Sequence, residues 1–173
     1  MDRIAQFIDE LNEKLGRLVS WLAVVIVVVG SWNAMARYLG KSLGRNVHLN
    51  ALQDLQWYLF SVMFLVGAAY TLKRDEHVRV DVLFSRFAPR TRLWINIVGT
   101  AAFLIPFSIT VIWASWPLVR DAWVILETSP DPGGLARYPI KAAIPVGFFL
   151  LLLQGISELI KYIRALLQLG LPS

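Results

Sequence analysis

Four runs without a formal charge constrain this chain more than any other feature. Leu18–Ala36, Leu55–Leu72, Leu93–Val119 and Ala142–Ser157 hold no Asp, Glu, Lys or Arg over 19, 18, 27 and 16 residues. A helix crosses the hydrocarbon of a bilayer with about 20 mainly apolar residues, because its backbone groups must all be satisfied within the segment. The first three runs reach that length directly. The fourth reaches it when Tyr138–Ile140 and Leu159–Ile160 extend it, leaving Lys141 and Glu158 near the interfaces. At about 1.5 Å per residue the third run approaches 40 Å, so it has to tilt or project from the bilayer. Composition agrees: 57% of the residues are hydrophobic and 17% charged, against about 45–50% and 25% in a soluble domain. The expected fold is an all-α integral membrane protein, one membrane domain over residues 1–173. Its four transmembrane helices fall at about 18–38, 55–72, 93–119 and 139–160, with amphipathic interfacial helices at the N-terminus and in the loops.

Residues 1–17 do not read as a cleaved signal. Asp2, Asp9, Glu10 and Glu13 stand where a basic n-region and a short apolar core would be needed. Instead Ile4, Phe7, Ile8, Leu11, Leu15 and Leu18 share one helical face, the pattern of an amphipathic helix on the membrane leading into the first span. A helix extension with one buried side predicts the same spacing. Lys and Arg set the orientation: three in residues 1–17, six from Lys73 to Arg92 and two after Glu158, against six on the other side. The excess places both termini in the cytoplasm. The net charge of +5 then belongs to membrane flanks, and nucleic acid is not an expected partner.

Little in the sequence points to chemistry. There is no cysteine, hence no disulfide, thiol nucleophile or thiolate metal site. The two histidines, His48 and His77, lie outside the spans, so a bis-histidine haem inside the bundle has no ligands. Ser31, Ser61 and Ser108 sit in spans without a histidine or acid to activate them. The chain is not expected to be an enzyme or to hold a cofactor or metal. Polar residues of the span interiors, Asn33, Asn96, Thr100, Ser108, Thr110 and Gln154, are neutral, whereas transporters of charged solutes usually keep ionisable groups in the membrane. Asp54, at the edge of the second span, is the nearest acid and suits orienting a loop or pairing at the interface. Gly30/Ala34 and Gly67/Thr71 place small residues one turn apart for close helix packing. Pro106 should kink the third helix. On the outer side, Leu49, Leu52 and Leu55 suggest a short helix on the membrane, and Ser129-Pro-Asp-Pro-Gly-Gly134 is dense in turn residues.

The stretch LKRDEHVRVDVL, residues 72–83, collects three cations and three anions between apolar runs. His77, Arg79 and Asp81 alternate with Val78, Val80 and Val82, so an extended segment would present polar groups on one side. Asp81 can cap a short interfacial helix over Val82–Phe87, and Arg79 and Asp81 can tie spans two and three together. A solvated loop is the plain alternative.

These residues, with others in order, resemble a known family. Arg37-Tyr38 ends span one. Asn50-Ala-Leu-Gln-Asp-Leu-Gln-Trp57 and Leu65-Val-Gly-Ala-Ala-Tyr-Thr-Leu72 follow, then His77-Val-Arg-Val-Asp81. The pattern is similar to the small membrane subunit, the DctQ type, of tripartite ATP-independent periplasmic (TRAP) transporters, and the resemblance covers nearly the whole chain. The Ser129–Gly134 segment resembles the branch linked to 2-oxo acids, mannitol or chloroaromatic acids, and Asp54 stands where relatives often have Glu. The resemblance implies a bacterial inner-membrane subunit that binds no substrate and braces a large elevator subunit. That large subunit would carry sodium coupling, for symport of an organic acid delivered by a periplasmic substrate-binding protein. Partners would be those two proteins and membrane lipids. Candidate subunit-interface or structural residues are Asn33, Arg37, Asp54, Trp57, His77, Arg79 and Asp81. Candidates for docking the binding protein are Arg120, Asp121, Glu127, Asp131, Arg137 and Lys141. Two other readings stay open: a self-sufficient small membrane transporter, and a membrane anchor of a redox complex.

Overall fold

The computed structural model describes residues 2–42, 50–75 and 87–169. They form helices α1 (Asp2–Ser42), α2 (Asn50–Lys73), α3 (Pro89–Val98), a π-helical turn (Gly99–Leu104), α4 (Ile105–Val124), a single-turn α5 (Tyr138–Lys141) and α6 (Ala143–Leu169). No β-strand occurs among the described residues; one isolated antiparallel bridge joins Thr128 and Ala136. Four helical stretches are long and apolar enough to cross a membrane: Arg3–Ser42, Asn50–Lys73, Pro89–Val124 and Tyr138–Leu169. The protein is thus an all-α membrane-type chain. Helix α6 is its hub, packing on α1, α2, α3 and α4, while α1 packs on α2 and α6.

The bundle is polar and small-residued inside and apolar outside. Asn12, Asn33, Asp54, Ser108, Ser115, Gln154, Ser157 and Glu158 are buried, whereas Trp21, Trp32, Trp57, Phe64, Phe103, Trp113 and Trp116 are exposed. Lipid removes the hydrophobic drive between helices, so cohesion has to come from close packing and interhelical hydrogen bonds, each worth about 0.6–2 kcal/mol. Close packing is clearest at Gly147 of α6. A Cβ there would lie 2.8 Å from the backbone carbonyl oxygen of Leu65 in α2, which cannot move aside. Gly16 of α1 lies against the Tyr70 ring in the same way. Of the expected small-residue contacts, Gly30 sits under the Gln56 side chain, but a Cβ at Gly67 would meet nothing within 4 Å. Gly67 is not a contact; it faces an open groove.

Two expected interfacial helices are continuous with spans. Residues 2–42 form one helix of 41 residues, about 60 Å long and roughly twice the hydrocarbon thickness. No Gly-Pro pair or capping residue interrupts it near residue 17, so the helix runs on. Its face toward the bundle is Ala5, Ile8, Asn12, Gly16 and Val19, while Ile4, Phe7 and Leu18 are exposed. The stretch after Leu49 is likewise the opening of α2 rather than a separate helix lying on the membrane. The segment proposed to run from Val82 to Phe87 lies outside the described residues except for Phe87.

Pro106 acts on the turn before it. Its ring would clash with the carbonyl four residues back, and it has no N–H to donate. The chain responds with the π-helical turn Gly99–Leu104, where the Ile105 N–H bonds to Thr100, five residues back. Pro117 stands further along, inside α4.

Candidate functional site

Two clusters of polar side chains stand at opposite ends of the bundle, and they differ in kind. At the end holding both chain termini, Glu13 of α1 receives three cations. Lys73 Nζ is 2.7 Å and Arg74 Nη2 2.5 Å from its carboxylate, and Arg17 of its own helix is 3.0 Å away. Hydrogen bonds from Lys73 first, then Arg74, hold the Glu13 carboxyl at about 2 against an ordinary 4.5. Asp75 follows with φ of 56° and ends α2, a left-handed position that Asp tolerates better than most residues. Glu13 therefore ties α1 to the C-terminus of α2.

Beside it a second group ties α1 to α6. Gln154, fully buried, accepts from Asn12 Nδ2 at 2.8 Å and donates to Asp9 and Glu158, each at 3.0 Å. Ser157 donates to Asp9 at 2.9 Å. Lys161 bridges Asp9 at 2.7 Å and Glu158 at 2.8 Å. Burial pushes Asp9 up, but hydrogen bonds from Lys161, Gln154 and Ser157 outweigh it and leave the carboxyl below its ordinary value. Burial likewise lowers Lys161, and its bonds to Asp9 and Glu158 outweigh that, holding the ammonium charged. The Oδ1 atoms of Asn12 and Asn33 are buried without a hydrogen-bond partner among the described residues.

At the opposite end, side chains of α2 hold a loop by its backbone. Asp54 Oδ2 accepts the Leu135 N–H at 3.0 Å, Tyr58 donates to the Leu135 carbonyl at 3.4 Å and Asn50 to that of Pro132 at 3.0 Å. The loop begins where Leu126, with φ of 48°, closes α4: the Glu127 N–H returns to Ala122 at 2.9 Å. The Glu127 carbonyl then accepts the N–H groups of Arg137 and Tyr138 at 2.7 and 3.3 Å. Within this closure Gly133 has φ of 74°, the conformation that favours glycine. Trp123 meets the Tyr138 ring edge-on at 4.8 Å between centroids.

The structure sorts the sequence candidates. Arg37 is exposed and donates to Gln53 at 2.9 Å, and Asn33 is buried, 3.5 Å from Gln56, so both lie on the α1–α2 seam. Trp57 is exposed at the bundle surface. Asp54 holds the outer loop. His77, Arg79 and Asp81 lie outside the described residues. Among the docking candidates Arg120, Asp121 and Asp131 are exposed, but Glu127 and Lys141 are ion-paired to each other and Arg137 is half-buried. Lys141 is a strut of the loop rather than a free surface charge, because the closure brings α5 back against Glu127. Asp9, Asn12, Glu13, Ser157, Glu158 and Lys161 were not candidates. Their signal was present as two polar stripes, Asp9-Asn12-Glu13 and Gln154-Ser157-Glu158-Lys161, each at three- or four-residue spacing on one helix.

No group of three or more His, Asp or Glu residues suited to a metal occurs among the described residues. What the chain defines is a helical membrane scaffold, ionically fastened at one end and loop-latched at the other. Residues 26–165 match the family of the DctQ component of tripartite ATP-independent periplasmic transporters, and the chain belongs to that family. It is 29% identical over 170 residues to a C4-dicarboxylate TRAP transporter small permease protein DctQ of Vibrio cholerae serotype O1, an alignment covering 86% of this chain and 69% of the relative. It is a small permease subunit of a transporter, not an enzyme.

Proposed function

We propose that this chain is the stationary brace of a bacterial inner-membrane TRAP transporter. A large membrane subunit moves an organic acid with sodium, a periplasmic protein delivers that acid, and this chain binds neither acid nor ion. The observation that carries the reading is the placement of charge. The four uncharged runs keep Asp, Glu, Lys and Arg out of the span centres, and the ionisable groups at the bundle ends are engaged in holding helices or a loop. A carrier of anions or sodium needs exposed or mobile polar groups along its path; a brace needs them fixed.

The apolar exterior supports a large neighbour. Trp57, Phe60 and Phe64 of α2 and Trp113 and Trp116 of α4 remain exposed, and lipid or a partner helix covers such surface. The lysine and arginine excess orients both termini to the cytoplasm, so Arg120, Asp121 and Asp131 face the periplasm, where exposed charge steers transient encounters. Cysteines introduced at Arg3 and Asp131, both exposed, test the orientation: an impermeant thiol reagent on intact cells should label only Asp131→Cys.

Function is tested in proteoliposomes. The chain alone should show no saturable, sodium-dependent uptake of organic acids, and joint reconstitution with its large partner and binding protein should restore it. Uptake by the chain alone would return it to the self-sufficient transporters.

A further inference from the structure

The Glu13 cluster stands at the mouth of a groove. Between α1 and α2 a cleft of about 560 Å³ runs along the helices, lined by Gly16, Ser20, Ala23, Met63, Phe64 and Gly67. At its polar end it adjoins a second depression of about 550 Å³, walled by Glu10, Glu13, Lys14, Arg17 and Lys73. The two share one side of α1, because residues 13, 16, 17 and 20 recur at three- and four-residue spacing.

Charge at this mouth does not balance. Arg17, Lys73 and Arg74 all converge on Glu13, one carboxylate. Lys14 adds a fourth cation and Glu10 a second anion, both exposed. Arg17 keeps 73% of its side-chain surface exposed and Arg74 46%, and Arg74 lies 5.3 Å from the Tyr70 ring that lines the cleft. Cations surplus to their carboxylates thus stand over an apolar cleft at one end of two spans, the arrangement that takes an acidic headgroup with its acyl chain.

We infer that this cleft binds one anionic phospholipid, its phosphate against Arg17 and Arg74 and an acyl chain along Gly67. The site fills the seam between α1 and α2 and neutralises the fastening at Glu13.

Native mass spectrometry of the full chain, released from nanodiscs of phosphatidylglycerol or phosphatidylcholine, tests this. One phosphatidylglycerol should stay bound per chain, and phosphatidylcholine should not. Replacing Arg17 and Arg74 by Gln should weaken retention by roughly 25-fold, about fivefold for each cation lost. Gly67→Leu gives the arm independent of the clamp. A side chain there meets no neighbour within 4 Å, so the variant should fold with unchanged or higher thermal stability and yet lose the lipid. Equal retention of both lipids, or retention unaffected by Gly67→Leu, would overturn the assignment. Glycerol phosphate displacing the lipid in full would reduce the site to an anion site and overturn it too. Loss of bound lipid on joining the large subunit would give the cleft to that protein.

Discussion

The two ends of the bundle are held by different bonds. At the terminal end, charged side chains from α1, α2 and α6 meet one another, with partners 60 to 148 residues apart in sequence. At the other end, α2 side chains grip the backbone of one loop, through Asp54 and Leu135 above all. Side chain to side chain, the first end joins three helices and its failure frees the whole bundle. Side chain to backbone, the second shapes a loop and its failure stays local. Ion pairs cost desolvation, but at membrane ends they are only partly buried, so the clamp can be both charged and stabilising.

Removing the hub of the first end should have the largest effect. Gln154→Leu leaves Asn12, Asp9 and Glu158 short of a partner in a buried site, at about 1–3 kcal/mol for each group stranded. Thermal unfolding in detergent should show a clear loss of stability. Adding Asn12→Leu should recover part of it, since replacing both partners by apolar groups restores balance. A Gln154→Leu protein as stable as wild type would mean that packing alone holds α1 to α6.

Asp54→Ala comes next. A hydrogen bond to a charged acceptor is worth about 1.5–3 kcal/mol, but the loss should be confined to the loop. Amide exchange should quicken across residues 128–137 while the spans keep their protection. Exchange rising equally in α1 and α6 would show that the ends are not independent.

The pH response separates the ends more finely. Glu13 has its pKa lowered from 4.5 to about 2. Its stabilising effect is complete above about pH 4.5 and fades as pH falls through 2. Wild type should therefore lose stability relative to Glu13→Gln across that window. Parallel curves for the two proteins would remove Glu13 from the clamp.

The smallest expected effect lies at Leu126. A non-glycine residue at φ of 48° bears a cost of about 1 kcal/mol, so Leu126→Gly should leave melting unchanged or raise it by a few degrees. A fall beyond that would show the Leu126 side chain to be an anchor.

The same contrast explains what was legible in the sequence. Spans are local: an uncharged run and a helical rise suffice to find them. The latch was half visible, because Asp54 is a single acid at a span edge and Ser129–Gly134 can only turn. The clamp was not. Asp9, Glu13 and Lys161 look like ordinary solvated charges at helix ends, and Gln154 like an isolated polar residue in a span. Only their convergence across three helices gives them a role, and helix spacing says nothing about which stripe meets which. Pro106 shows a related limit: it marks a disturbed helix, but a π-turn relieves the clash one turn earlier than the ring.

The central claim is that these fastenings never open during transport. The chain has no cysteine, so Asp9→Cys with Ser157→Cys, side chains 2.9 Å apart in the native structure, can be cross-linked alone. In proteoliposomes holding the complete transporter, sodium-driven uptake should run at the same rate before and after cross-linking α1 to α6. Uptake abolished by the cross-link and restored on its reduction would show that this chain moves with its partner, and the brace would be wrong.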